Sequence, residues 1–142
     1  MKMVDYIRQE TLDLALFSGT NPITNGVTNI QALLKGIDAD TDGLAPQEAT
    51  VGKKTVPYTH EGVVRLLKAK GPQVKTILHL SRRDPPDVLY TFNFVQPGWE
   101  VEFWLRIFVA ADYFAKSNQA EQRAKALLPL VRRFDSICPL VY

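Results

Sequence analysis

Residues 88–109 constrain the fold more than any other segment, because apolar and polar side chains alternate with period two on both sides of a turn. The segment reads VLYTFNFVQPGWEVEFWLRIFV and contains half of the aromatic residues of the chain. Its central Gln96-Pro97-Gly98 triplet is a turn sequence, and aromatic and β-branched residues favour strands. The pattern therefore predicts a β-hairpin.

The second strand of this hairpin presents two rows of different character. One row is apolar and predicts core: Trp99, Val101, Phe103, Leu105 and Ile107. The other row mixes charges with aromatic rings: Glu100, Glu102, Trp104, Arg106 and Phe108. Tryptophan and arginine are enriched at the energetic centres of protein interfaces. We therefore expect the second row to form a protein-binding surface, with coverage by a helix or by the C-terminal tail as the alternative.

The remaining elements are predicted from helical periodicity, capping residues and short alternating runs. Helices are expected at residues 4–17, at residues 28–35, between Thr59 and Gly71, and after Asn118. Strands are expected at residues 54–58 and 74–81. Residues 38–54 are the least hydrophobic part of the chain and predict a long loop with one helical turn near residues 46–49.

The last predicted helix carries its own start and break signals. Asn118 and Glu121 form a variant of the capping box, and Pro129 predicts a kink or two helical pieces. One face is expected to be apolar: Ala120, Ala124, Leu127, Leu128 and Val131. The apolar tail at residues 137–142 should dock on the core or add an edge strand, with Cys138 as a small core residue.

These elements predict one α+β domain over residues 1–142. Its sheet is an antiparallel meander of three or four strands, with N-terminal helices and a C-terminal helix packed on one face. A length of 142 residues suits a single domain, and 46% hydrophobic with 23% charged residues is typical of a globular chain rather than a disordered one.

Composition also narrows the setting in which we expect the chain to act. A net charge of +2 with dispersed basic doublets gives only weak support for nucleic-acid binding. The N-terminus lacks the apolar stretch of a signal peptide, and no apolar run is long enough to span a bilayer. Cys138 is the only cysteine, so no intrachain disulfide can form. We expect the cytoplasm, or the inside of an assembled particle, as the location.

The string DADTDG at residues 38–43 resembles the start of an EF-hand calcium loop. Its candidate ligands are Asp38, Asp40, Asp42 and Glu48. The resemblance is defective because Glu48 comes one position early and no second copy of the motif is present. We expect a solvated acidic turn and no cofactor, with calcium as the alternative.

His79 is the candidate for acid–base chemistry, because it lies on the more polar face of its predicted strand, where Glu100 or Glu102 could approach it. A half-exposed strand histidine explains the same pattern without catalysis. His60 lacks the second histidine of a zinc-binding helix, and the chain carries no nucleophile elbow or phosphate-binding loop. We therefore expect the protein not to be an enzyme.

The sequence thus favours a non-enzymatic protein-interaction or assembly protein that binds a partner, or further copies of itself, through the outer face of its sheet. A structural or connector component of a viral or phage particle fits this description. A bacterial immunity-type inhibitor that binds a toxin is the first alternative. A small-ligand-binding or hydrolytic domain that uses His79 and the carboxylates of the sheet face is the second. No membrane partner is expected.

Overall fold

The computed structural model describes residues 11–20, 22, 28–41, 43–70, 76–84, 87–94, 103–110, 125 and 127–140. Its strands are β1 (Thr11–Ser18), β2 (Glu48–Val51), β3 (Lys54–Pro57), β4 (Thr76–Arg82), β5 (Val88–Phe94) and β6 (Phe103–Ala110). Its helices are α1 (Thr28–Asp40), α2 (His60–Lys70) and α3 (Leu128–Ile137). The mixed α+β class is therefore confirmed.

The six described strands form one antiparallel sheet in the order β1-β6-β5-β4-β2-β3. The meander predicted from β4, β5 and β6 lies at its centre, and Phe94 pairs with Phe103 at the hairpin end. The expectation of three or four strands was wrong, because β1 extends the meander on one side and the β2–β3 hairpin extends it on the other.

The predicted helix at residues 4–17 was wrong over its second half, which forms β1. Residues 4–10 lie outside the described residues. The segment TLDLALFS alternates with period two, so Leu14 and Leu16 face the core while Asp13 faces out. Leucine and alanine are good helix formers, but pairing with β6, which sets Leu14 opposite Ile107, satisfies the backbone of this segment in the sheet.

The predicted loop at residues 38–54 was also wrong in part. Helix α1 continues to Asp40, and the expected helical turn near residues 46–49 is replaced by the start of β2. β2 is only four residues long and buries Ala49 and Val51. Two buried positions are too few for the period of a strand to be recognised in the sequence. A two-residue turn with Gly52 at φ 60° joins it to β3, which confirms the predicted strand at residues 54–58.

The starts of α2 and α3 agree with the local sequence. The Thr59 hydroxyl accepts a hydrogen bond from the Gly62 amide at 2.9 Å, as expected of a residue that caps α2. Pro129 lies in the first turn of α3, where its missing N–H costs nothing. Lys125 is helical and Leu127 lies in a turn, as the predicted alternative of two helical pieces requires. The predicted capping box at residues 118–121 lies outside the described residues.

The apolar face predicted for this helix is confirmed in part, because Leu127 is buried and Val131 packs against the core, whereas Leu128 is 45% exposed. Ala120 and Ala124 lie outside the described residues.

Two further residues that the prediction omitted, Leu130 and Phe134, are also buried on α3. The Phe134 ring stacks on Phe103 at 5.7 Å between centroids. Phe103 also stacks on Phe94, so α3 meets a continuous layer of aromatic rings on the inner face of the sheet.

The chain after α3 docks on the core, as expected. Cys138 is fully buried, and Leu140 forms an isolated antiparallel bridge with Ser18. The Ser18 hydroxyl donates to the Pro139 carbonyl at 2.8 Å, which joins the tail to the end of β1. None of the helices in the described ranges has both the length and the apolar character needed to cross a membrane.

Candidate functional site

The face of the sheet turned away from the helices carries a row of large side chains across four strands. Strand register aligns Phe17 of β1 with Trp104 of β6, Trp104 with Asn93 of β5, and Asn93 with Ile77 of β4. We call these four residues the outer row. They come from four separate stretches of sequence, and only the order of the strands brings them together.

The three apolar members of the outer row are exposed or half-buried, whereas Asn93 between them is buried. Phe17 is 42% exposed and Ile77 is 38% exposed, while Trp104 between them is half-buried. The remaining large hydrophobic side chain with comparable exposure in the described part of the chain is Leu128, on α3. Phe17 and Trp104 touch through tilted rings with centroids 6.3 Å apart. An apolar strip on a rigid sheet is the kind of surface that a partner can cover.

Arg106 lies on the same face, one pleat from Trp104, and its guanidinium is held on two sides. It pairs with the Asp13 carboxylate, with Nε 3.4 Å from Oδ1 and Nη2 donating to Oδ2. Its Cζ lies 5.0 Å from the centroid of the Phe108 ring. The ion pair is partly exposed, so it contributes little to stability, but it orders a long side chain before any partner arrives.

Strand β5 contributes short side chains between these larger ones. Leu89, Thr91 and Asn93 point to the outer face yet are buried, and Thr91 lies between Arg106 and His79 in the register. The exposed surface of the face therefore comes mainly from β1, β6 and β4. A partner would meet Phe17, Trp104 and Ile77 before it met β5.

His79 lies on this face as predicted, half-buried, with Nδ1 3.3 Å from the Thr91 hydroxyl. Burial lowers the pKa of His79 below its ordinary value of 6.5. The imidazole is therefore neutral at pH 7 and adds no charge to the face. Glu100 and Glu102, which were expected to approach it, lie outside the described residues.

We expect the free energy of unfolding to fall as the pH is lowered through 6.5, because the unfolded chain binds a proton at His79 that the folded chain resists. Stability from this residue is present above that pH and is lost below it. Urea unfolding at pH 7 and pH 5 measures the difference. The same pair of measurements on His79→Gln should show a smaller loss, and an unchanged loss would contradict the assignment.

The acidic segment predicted as a degenerate calcium loop has a different geometry from a loop around an ion. Asp38 lies within α1, and its carboxylate accepts a hydrogen bond from the Tyr58 hydroxyl at 3.0 Å. The second oxygen of Asp38 lies 2.6 Å from Nε2 of His60. These contacts tie the end of α1 to the start of α2. Burial, followed by the Asp38 charge, raises the pKa of Tyr58, so this phenol stays protonated as a donor.

Glu48, another candidate calcium ligand, lies on a different element from Asp38. Asp40 is the last residue of α1, and Glu48 is the first residue of β2, where it pairs with Ser81 and Pro57. Asp42 lies outside the described residues. Within the described ranges, no three His, Cys, Asp or Glu side chains lie close enough together to hold a metal ion.

Sequence reasoning identified Trp104, Arg106 and Phe108 as members of one outer face, and the structure has them there. It missed Phe17 and Asp13, because residues 4–17 were interpreted as a helix. The signal that could have found them is the recurrence of leucine at every second position between residues 12 and 16.

Comparisons of the chain with protein-family models, with curated proteins and with solved structures find no match.

Proposed function

We propose that this protein is a non-enzymatic interaction module that binds another protein, or a second copy of itself, through the outer row and Arg106. The observation that carries the proposal is the exposure of Phe17 and Ile77 on either side of Trp104, on one face of a six-stranded sheet. Exposed apolar side chains in line, next to a preordered arginine, have the composition of the buried centre of a protein interface.

The charges of the face favour a protein partner over a nucleic acid. Asp13 neutralises Arg106, His79 is neutral at pH 7, and Glu48 lies exposed at the far end of the same face. A nucleic-acid surface needs an excess of lysine and arginine to contact phosphates. The described part of this face has no such excess, and its apolar strip would contribute little to phosphate binding.

Within this class we propose an assembly role, such as a structural or connector component of a viral or phage particle. A six-stranded sheet face with exposed apolar side chains suits repeated contacts between subunits, which hydrophobic burial stabilises. An immunity-type inhibitor that binds one toxin is the alternative setting. The two differ in a measurable way: an assembly component associates with its own kind or with a scaffold, whereas an inhibitor forms a one-to-one complex.

The decisive experiment is to remove Trp104 and follow association. Trp104→Ala should weaken self-association, or partner capture by a monomeric chain, by about thirtyfold, because a buried tryptophan at an interface centre contributes about 2 kcal/mol or more. Static light scattering over a range of protein concentrations measures the first case. Binding of the purified partner measures the second.

Leu128→Ala is the matched control for this substitution. Leu128 is as exposed as Phe17 but lies on α3, so its truncation should leave association unchanged. Ile77→Ala should act like Trp104→Ala, since Ile77 lies at the other end of the outer row. If Trp104→Ala and Ile77→Ala both associate like the parent chain, the outer face is not the binding surface.

A further inference from the structure

The edge of the sheet opposite β1 is a second candidate binding surface. β3 is the terminal strand on that side, because the sheet order of the described strands ends with β2 and then β3. An edge strand presents backbone N–H and C=O groups that another strand can pair with. β3 is four residues long, which corresponds to about 13 Å of edge.

The backbone polarity of β3 follows from its pairing with β2. The Tyr58 amide donates to the Gln47 carbonyl at 2.9 Å, so residues 54, 56 and 58 turn their polar groups towards β2. Thr55, between them, therefore turns its N–H and C=O to the open edge. The Pro57 carbonyl also points outward, while Pro57 has no N–H to offer. One donor and two acceptors are thus available along the edge.

A groove runs beside this edge, between β3 and α2, and has a volume of about 430 Å³. Lys54, Val56 and Pro57 form its strand wall. Arg65, Leu66 and Ala69 form its helix wall, at spacings that put them on one side of α2. The floor is apolar through Val56 and Leu66, and the eleven residues of α2 extend about 16 Å along it. A segment of four to five extended residues matches both walls in length.

Gly62 keeps one end of the groove open. A Cβ at this position would lie 2.8 Å from the Thr59 hydroxyl and 3.5 Å from the Pro57 carbonyl. The first turn of α2 therefore approaches the end of β3 closely, and a side chain at Gly62 would displace the threonine that caps the helix.

The charges at the groove select the chemistry of the occupant. Lys54 lies on the strand wall and Arg65 on the helix wall, and the exposed side chains of Lys53 and Lys68 lie close by in sequence. Glu61 pairs with Arg65 at 2.8 Å, but both side chains are more than 70% exposed, so the pair is weak and a competing carboxylate can displace it. The net charge around the groove is positive.

From this geometry we infer that the β3–α2 groove binds an extended acidic segment of another protein, which adds to the sheet as a further strand at the β3 edge. Main-chain hydrogen bonds to Thr55 and Pro57 align the segment, its apolar side chains enter the groove, and its carboxylates meet Lys54 and Arg65. Lys54 and Pro57 also make pairing with other strands less favourable. The Lys54 charge repels basic segments, and Pro57 has no N–H to donate to a neighbouring strand. This site goes beyond the proposed outer-row interface, because it lies at the β3 edge, outside the four strands that carry the outer row.

The test uses defined peptides rather than a natural ligand. A fluorescent peptide of alternating glutamate and valine, blocked at both ends, should bind the intact chain in an anisotropy titration, and its lysine–valine counterpart should not. N-methylation of alternate amides in the acidic peptide, which removes its ladder donors, should weaken binding about tenfold or more, since two hydrogen bonds are lost. The largest changes in amide NMR chemical shifts on addition of the acidic peptide should occur around Thr55.

Three variants of the chain locate the site. Lys54→Glu should weaken the acidic peptide about tenfold, because an attractive charge pair becomes a repulsive one. Thr55→Pro should weaken it as well, since it removes the outward N–H and leaves the backbone hydrogen bonds to β2 in place, although the hydrogen bond between the Thr55 and Thr50 hydroxyls is lost. Lys35→Glu, the same charge change on α1, should leave binding unchanged. Thermal unfolding of each variant verifies that it is folded. If Thr55→Pro fails to fold, Lys54→Glu and the methylated peptide still test whether the groove binds the acidic peptide.

The remaining outcomes overturn the inference. They are equal binding of acidic and basic peptides, no binding of either, or NMR shifts centred on the outer row. Self-association that Lys54→Glu abolishes would make the occupant a second copy of this chain and would also overturn it. Trp104→Ala should leave peptide binding intact, so failure of this site and failure of the outer-row proposal are distinguishable.

Discussion

Phe103→Ala is expected to lower the free energy of unfolding by about 3–5 kcal/mol, the usual cost of truncating a fully buried phenylalanine. The Phe103 ring is completely buried and lies among three others, with centroids 5.1 Å from Phe94, 6.1 Å from Phe92 and 5.7 Å from Phe134. Its removal leaves a cavity where the sheet meets α3. Urea unfolding monitored by tryptophan fluorescence measures the change.

The neighbouring residue supplies the control. Trp104 lies next to Phe103 on the same strand, but its side chain is on the outer face and packs against Phe17. Trp104→Ala should cost less, about 2 kcal/mol, because the half-buried ring loses one aromatic pair together with part of its apolar burial. Circular dichroism follows this variant, because the substitution removes a fluorophore. If Trp104→Ala costs as much as Phe103→Ala, the tryptophan belongs to the core and the outer row is not a binding surface.

Alkaline pH is expected to destabilise the protein through Cys138. Burial raises the pKa of the Cys138 thiol from its ordinary value of 9.0 to about 11. Between these values the unfolded chain loses a proton that the folded chain keeps, so stability is complete below pH 9 and falls as the pH rises to about 11. The full loss corresponds to roughly 2–3 kcal/mol, since one pKa unit is equivalent to 1.36 kcal/mol.

Cys138→Ala separates this effect from other alkaline titrations. Tyr58, whose pKa burial and Asp38 also raise, acts in the same direction, but only above pH 10, where the unfolded phenol begins to ionise. Chemical unfolding at pH 8, 9 and 10 should therefore show a decline in the parent chain that the alanine variant lacks. Parallel declines in the two proteins would mean that the thiol is not the cause. Iodoacetamide should alkylate Cys138 slowly in the native state and rapidly after unfolding.

Local sequence patterns predicted the centre of the fold. Alternation in residues 88–109 and 74–81 identified β4, β5 and β6. The N-capping side chain of Thr59 identified the start of α2. These signals succeed because side-chain direction along a strand and capping at a helix end depend on a few neighbouring residues.

The errors occur where pairing with a distant strand outweighs local preference. Residues 11–18 contain good helix formers, yet β6 offers them a full ladder of hydrogen bonds and an apolar inner face. β2 is too short to show a period, and it exists because β3 and β4 pair with it on both sides.

The same division applies to the candidate site. The sequence by itself determined that Trp104, Arg106 and Phe108 share one face and that Phe103, Leu105 and Ile107 share the other, because successive strand residues point to opposite sides. Only the tertiary structure decided that Phe17, Asp13 and Ile77 join the first group and that α2 forms a groove beside β3. Strand order and register are set by contacts between residues far apart in the chain, and those contacts leave no periodic signal within any one segment.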